Sequence, residues 1–291
     1  MGFAAKQATA VAAHLLAGAP HIHRSGQLDV RLATSEAEIA AAQALRYQIF
    51  YDEMGATPSA AMVASNRGTA NAAKRDVDTY DAICDHLLVI DHGMPGDGPH
   101  VVGTYRLLRQ VVAQMNHGFY SAGEYDLSPL IAQSATGGQL LELGRSCVAP
   151  AYRNNATITL LWRGIASYLQ THAIGHMFGC ASLHGADPRV HAAELSYLYH
   201  HHLAPPELRA RALAEHYVPM ERMSPLAYDV RLTAKALPPL IKGYLRVGAL
   251  IGDGAYVDPQ FNTVDVFVVM PVERITKRYA GRFTAGANDT N

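Results

Sequence analysis

The sequence has little charge and almost no surplus of either sign: 17% of its residues are charged and the formal net charge is −1. Proteins that hold nucleic acid by neutralising phosphates carry a basic excess, so that class is disfavoured. Cysteine is scarce, with Cys84, Cys147 and Cys180 widely spaced. An odd number without a CxxC pair is neither a disulfide framework nor a cysteine-based zinc site, and it fits buried free thiols in a reducing cytosol. No run of about 18 apolar residues occurs, so no membrane-spanning helix is expected. Trp162 is the only tryptophan. Apolar residues, in contrast, make up 49% of the 291 positions, which is material for a sizeable core.

Within the first 27 residues Met1–Pro20 is Ala-rich, with His14 breaking an apolar run that has no strongly cationic lead-in. They are read as a flexible arm rather than a signal peptide. From Leu28 the pattern becomes regular. Leu28–Ala33 alternates as a strand does. Ser35 lies three residues before Glu38, a capping-box spacing, and Ile39, Ala42, Leu45, Ile49 and Phe50 follow at helical intervals. Residues 53–76 have no clear period and read as a long loop. Two strands are expected at His86–Asp91 and Val101–Leu108, paired as an antiparallel hairpin across a Gly/Pro-rich turn. Gln139–Val148 reads as a strand stopped by Pro150, Ala156–Leu169 as a helix and Met177–Leu183 as a buried strand. Arg189–His200, Pro206–Ala214 and Pro238–Leu250 read as helices, and Thr263–Met270 as the most strand-like segment of the chain. The order predicts an α/β fold, a mixed central sheet with helices on both faces and a C-terminal elaboration. The simplest division is a single domain over 28–285, followed by a tail, 286–291.

One segment offers chemistry by its layout. The strand that delivers Glu142 runs through Arg145, Ser146, Cys147 and Val148 into a turn, and a helix starts just after Asn154 and Asn155. Such a strand-to-helix turn presents backbone N–H groups and a positive helix end to an anion. It is also how an ordinary capped β-α connection reads. Asp78, Asp81, Asp85 and His86 form an acidic cluster before a strand, suited either to a cationic ligand or to a solvated loop with a helix cap. His200, His201 and His202 are adjacent on one helix, so they point in different directions and no metal site is expected of them.

Val148, Pro150, Tyr152 and Arg153 after a central strand resemble the pantetheine-binding segment of GNAT acyltransferases. Where that family has glycines, this sequence has Asn154, Asn155 and Ala156. Arg46 and Phe50, then Asp78 and Asp81, Arg106, and Glu142 with Arg145 occur in an order similar to that of the acyl-homoserine-lactone synthases. That group's tryptophan shortly after the phenylalanine is absent. Longer strings, among them Leu-Arg-Tyr-Gln-Ile-Phe-Tyr-Asp-Glu-Met-Gly-Ala and Leu-Glu-Leu-Gly-Arg-Ser-Cys-Val, more closely resemble the ornithine–acyl carrier protein N-acyltransferases, the haemolysin-like branch of the same fold, from about Leu28 to Phe283.

The resemblance implies transfer of a (3-hydroxy)fatty acyl group from acyl carrier protein to the α-amine of an amino acid, with ornithine the first choice. It implies no resident cofactor, since the acyl-phosphopantetheine arrives on its carrier as substrate. It places Glu142, Arg145 and Arg106 in catalysis, and Arg46, Phe50, Asp78, Asp81 and His86 at the acceptor. Ser146, Cys147, Val148, Arg153, Asn154 and Asn155 fall along the pantetheine arm. An ammonium acceptor must lose a proton before it attacks, so Glu142 is the candidate base; alternatively it pairs with Arg145 or Arg106. For Glu142 and Arg145 to serve one site the strand must be irregular near Gly144, with Arg145 held by Asp78 or Asp81. N–H groups after Ser146 could hold the oxyanion. Arg46, Lys74, Arg75, Arg106, Arg109 and Arg153 are candidates as a group for docking the acidic carrier. A cytoplasmic location is expected, with peripheral contact at the inner membrane. Pro238–Leu250 could lie on a bilayer, or face a core.

Overall fold

The structure is a computed structural model and describes residues 23–65, 74–96 and 98–275. Residues 1–22 of the expected arm, 66–73 of the expected loop and the tail at 286–291 lie outside the described residues. The strands are β1 (His23–Ser25), β2 (Leu28–Leu32), β3 (Asp85–Asp91), β4 (Val101–Arg109) and β5 (Tyr125–Asp126), then β6 (Gln139–Val148), β7 (Ile174–His184), β8 (Arg211–Ala212), β9 (Leu250–Asp258) and β10 (Thr263–Pro271). The α-helices are α1 (Glu36–Tyr47), α2 (Ala60–Ser65), α3 (Gln110–Gln114) and α4 (Ser128–Gly137), then α5 (Asn155–Thr171), α6 (Ala192–His202), α7 (Val230–Ala236) and α8 (Pro239–Arg246). Among the described residues the chain divides into two compact units, one of 23–116 and 143–172, the other of 117–142 and 173–275.

In the first unit β1 to β4 pair antiparallel in sequence order, and β4 is flanked by the second half of β6. The period of two decides which helix each residue meets. Val30 pairs with Val89 and Leu32 with Leu87, so these four share a face. That face receives α5: a Cβ on Gly164 would lie 2.9 Å from both Leu87 and Val30, so only glycine lets helix and sheet approach so closely. Leu88 and Ile90 point the other way and pack with Ala33 and with Ala42 of α1. His86 opposes Arg106, and Leu88 opposes Thr104, which puts His86 and Arg106 on the α1 face too. Helices therefore cover both faces, as the mixed α/β pattern predicts.

Helix α1 starts where its cap spacing predicts, with the Ser35 hydroxyl accepting from the Glu38 N–H at 3.3 Å. Glu38 does not complete the reciprocal half of a capping box there; its carboxylate binds Arg31 and the Thr34 N–H. The helix does not stop near Phe50 but widens into a π-helical turn over Gln48–Glu53. Strand β1, in the part of the chain read as an arm, is ordered by pairing with β2.

In the second unit the first half of β6 runs parallel to β7, β7 and β9 flank β10 antiparallel, and β8 and β5 follow. Strand β10 is buried along its whole length, as its nearly unbroken apolar run requires. Two segments differ from their sequence reading. Pro206–Ala214 is a 3-10 turn, Pro206–Leu208, followed by β8, because Arg211 is held by parallel pairing with Asp253. The helix expected over Pro238–Leu250 ends at Arg246, and β9 begins at Leu250. That strand was masked by its glycines. A Cβ at Gly252 would come within 2.6 Å of the Ala210 carbonyl and 2.9 Å of Phe267, so close packing, not a turn, demands glycine. Ile241 and Tyr244 of α8 are buried, so this helix takes the core-facing alternative.

Candidate active site

The residues singled out by sequence divide between the units, and each group forms a cluster of its own. In the first unit Arg46, Arg106 and Arg145 meet Asp76, Asp78 and Asp81. Arg46 is completely buried. Its Nε donates to Asp76 at 2.8 Å and its Nη2 to Asp81 at 2.9 Å. Arg106 Nη1 donates to Asp78 at 2.6 Å and to Asp81 at 3.3 Å, with its guanidinium 5.6 Å from the centre of the Tyr80 ring. Arg145 Nη2 donates to Asp78 at 3.2 Å, and its Nε lies 3.3 Å from Asp76. Three cations thus face three carboxylates, which is what burial of charge requires.

The two readings of the acidic segment both hold. Asp78 caps the 3-10 turn Thr79–Ala82 in a capping box with Asp81, and the same two carboxylates bind the arginines. Burial works against ionisation of Asp81, but Arg46 and Arg106 outweigh it and hold its carboxyl down at about 2. His86 is buried with Nε2 3.0 Å from the Asp81 carbonyl oxygen, and burial pushes its pKa down, so the ring is neutral at pH 7. Asp85 points to the opposite face, where it accepts from the Tyr168 hydroxyl at 2.5 Å and lies 3.5 Å from Arg109.

The backbone is irregular at Arg145, whose φ is +50°, one residue beyond the expected Gly144. A non-glycine residue in this region is uncommon and carries strain, and here the arginine is held by Asp76 and Asp78. Downstream, Cys147 is buried with Leu45 and Ile49, and Phe50 packs against them. Burial pushes the Cys147 thiol up to about 12, so it is no nucleophile. Arg153 donates to the Val148 carbonyl and forms a two-pronged, half-exposed pair with Glu53. Asn154 is the N-cap of α5: its side-chain oxygen accepts from Ala156 and Thr157 at 3.0 and 3.1 Å. Its φ is −133°, so the turn closes with extended backbone and makes no use of asparagine's tolerance for left-handed geometry. Arg46 and Arg106, counted by sequence among docking residues for a carrier, are buried and cannot form a surface.

Glu142 lies in the second unit. Strand register places Glu142 beside Phe178, Phe178 beside Val269, Cys180 beside Phe267, and Ser182 beside Asp265, all on one face. The Phe119–Tyr125 segment covers that face, with Phe119 edge-on to Phe178 at 4.9 Å and Tyr125 5.2 Å from Phe267. Glu142 is 4% exposed. The Tyr120 and Ser121 N–H groups, the first of a 3-10 turn, donate to its two oxygens at 2.7 Å each, and the Ser121 hydroxyl adds a third bond at 2.5 Å. The Cys180 thiol sits 3.2 Å from Glu124 Oε2 and 3.7 Å from Ser121 Oγ. Burial, followed by the Asp265 carboxylate, pushes Glu124 up to about 8 despite its bond with Cys180; Asp258 and Glu142 push the same way.

Sequence reading missed Asp76, Ser121, Glu124, Cys180 and Asp265. Asp265 had a signal, as a lone charge inside the most apolar strand. Asp76 continues the acidic spacing of Asp78 and Asp81. Ser121 and Glu124 lie in a segment without periodicity and had none. No group of three or more metal-ligating side chains among the described residues could hold an ion. Of the histidine run, His200 binds Tyr228 and Glu221, and His202 binds Tyr197.

A mixed sheet with helices on both faces, a central strand that turns through Pro-Ala-Tyr-Arg into a long helix, and buried carboxylates on that strand's face define a GNAT-type acyltransferase. Residues 45–163 match the acetyltransferase (GNAT) domain model, a span that includes every site residue named from sequence. The chain belongs to the L-ornithine N(alpha)-acyltransferase family. It is 48% identical over 267 residues to the L-ornithine N(alpha)-acyltransferase of Brucella abortus (strain 2308), covering 91% of this chain and 92% of that one. Identity is 47% over 270 residues to the Agrobacterium fabrum (strain C58 / ATCC 33970) protein of the same description, covering 92% and 89%. It is 47% over 265 residues to that of Rhizobium meliloti (strain 1021), covering 91% and 86%.

Proposed function

We propose that this enzyme transfers a (3-hydroxy)fatty acyl group from acyl carrier protein to the α-amine of ornithine, giving lyso-ornithine lipid. The observation that carries the reading is identity of 47–48% over about nine-tenths of the chain with relatives named for that acceptor and that nitrogen. Glu142 takes the proton that the α-ammonium must lose, and the amine then attacks the thioester carbonyl. The second proton on nitrogen leaves with the thiolate as C–S cleaves, so one proton is released per turnover. Asp78, with 23% of its side chain exposed, is the carboxylate of the arginine network that solvent reaches, and is assigned to the acceptor's cationic side chain. Asp81 and His86 are enclosed and hold that network in place.

A carrier-protein donor is favoured by the turn before α5. The glycines that would cradle a coenzyme's phosphates are replaced, and the Asn154 side chain already takes two N–H groups of the first turn. The enzyme is assigned to the cytoplasm; no described helix is long and apolar enough to cross a membrane. Its amphiphilic product suits peripheral membrane contact, and the exposed Leu226 and Leu232 are the apolar side chains assigned to it. The decisive assay supplies purified protein with acyl–acyl carrier protein or acyl–coenzyme A and a panel of amino acids, and reads products by mass. Acylation of the ornithine α-nitrogen with strong preference for the carrier is expected. Preference for another amino acid, or equal use of both donors, overturns the corresponding part. Glu142→Gln is expected to lower turnover by roughly a hundredfold or more, with the fold intact but melting somewhat lower, because its amide nitrogen must face one of the two backbone N–H donors.

A further inference from the structure

Two titratable groups of the second unit, the buried Glu124 and the half-buried Cys180, have no part in the scheme above. They are connected to Glu142 by consecutive contacts: Glu142 Oε1 to Ser121 Oγ at 2.5 Å, Ser121 Oγ to Cys180 Sγ at 3.7 Å, and Cys180 Sγ to Glu124 Oε2 at 3.2 Å. One thiol proton cannot serve both neighbours of Cys180 at once. Each of the two possible arrangements is nevertheless complete. With Glu124 protonated, its O–H donates to Sγ, the thiol donates to Ser121 and the hydroxyl donates to the Glu142 carboxylate. With the proton on Glu142, every donor reverses and Glu124 ends as the carboxylate that accepts from the thiol.

We propose that Ser121 and Cys180 form a proton relay that carries the proton taken by Glu142 to Glu124. This rests on the reading of Glu142 as the base. The balance is simple. The N–H bond of the ammonium breaks and a Glu142 O–H forms. That proton passes to Ser121 Oγ as the serine's own passes to Cys180 Sγ, and the thiol's passes to Glu124 Oε2. One N–H has been exchanged for one Glu124 O–H, no electrons have moved, and Glu142 is again a carboxylate while the tetrahedral intermediate collapses. Ser121, Cys180 and Glu124 are positioning residues, since they act only through Glu142.

A terminal acceptor must be free of its proton when turnover begins yet hold one readily afterwards. Glu124 is suited by its surroundings: burial, Asp265, Asp258 and Glu142 raise its pKa to about 8, so both forms are populated near neutral pH. The other titratable groups facing it are Tyr125 and Tyr256, both raised by burial and by these carboxylates and so neutral here. The Cys180 thiol is also raised by burial, which keeps it a proton carrier instead of a trapped thiolate.

The test compares Cys180→Ala, which cuts the chain, with Cys180→Ser, which keeps one donor and one acceptor in it. Turnover and KM for ornithine are measured from pH 6 to 10 with saturating acyl–acyl carrier protein, alongside melting curves and Glu142→Gln. The wild type is expected to gain turnover as Glu124 ionises near pH 8. Cys180→Ala should lose about tenfold in kcat, a modest general-base effect, with KM held and the ionisation gone. Cys180→Ser should restore kcat to within about twofold, with the ionisation present, since a hydroxyl can donate and accept as the thiol does. Wild-type kcat and pH profile in Cys180→Ala overturn the relay, as does an equal loss in both variants with unchanged melting. Full activity of Glu142→Gln instead removes the base itself, whatever Cys180 does.

Discussion

Asp81 and Glu124 are both carboxylates, both more than nine-tenths buried, and burial opposes ionisation of both. Yet one is held at about 2 and the other at about 8. The difference lies in the neighbours. Asp81 sits among Arg46, Arg106 and the Asp78 N–H, and Glu124 among Asp265, Asp258 and Glu142. In the first unit Asp81 has become part of a charge-balanced scaffold, frozen in one protonation state. In the second, a carboxylate is poised to change state at working pH. Catalytic proton traffic needs the second kind and a framework needs the first.

Removing the cation from the first cluster is the strongest way to break this contrast. Arg46→Met leaves Asp76 and Asp81 buried beside a neutral side chain, and a loss of about 3–5 kcal/mol in urea unfolding at pH 7 is expected. A loss below about 1 kcal/mol would mean that the arginines do not hold Asp81 down. The pH dependence has opposite sign in the two clusters. Asp81's contribution is present above the ordinary aspartate value and is lost as pH falls through about 2. Glu124's pKa is raised, so the folded state keeps a proton that the unfolded chain releases. Its contribution is full below the ordinary glutamate value and declines as pH rises to about 8. Glu124→Gln is therefore expected to raise the melting temperature more at pH 8.5 than at pH 5, and equal shifts at both would refute the raised value. The smallest effect concerns the cap of α5. Asn154→Ala should cost about 1 kcal/mol, because two N–H groups lose their acceptor, and should leave both clusters' pH responses intact.

Much of the frame was legible in the chain. The hairpin of β3 and β4, the strand Gln139–Val148, the helix after Asn154 and the central β10 follow from periodicity, because each buries a regular face. Arg145 bound to Asp78 was anticipated, and the backbone irregularity was placed within one residue. What was not legible has a common cause. β9 and β8 are strands only because a neighbour pairs with them; the glycines of β9 argue locally against a strand, and β8 is two residues long, too short to carry a period. The π-helical turn at Gln48–Glu53 depends on what packs against it and leaves no local mark.

By itself the sequence determined the α/β class, the family and the residue types available for acyl transfer. Local hydrophobic period and short ordered strings carry that information without any knowledge of contacts. Only the tertiary structure decided what each charged side chain is for. It gave Asp81 two arginines and enclosed it, turned Asp85 to the opposite face beside Tyr168, and brought Glu124 and Cys180 to Glu142 through Ser121. A carboxylate's protonation state is set by desolvation and by charges distant along the chain, and those distances exist only once the sheet has formed its register.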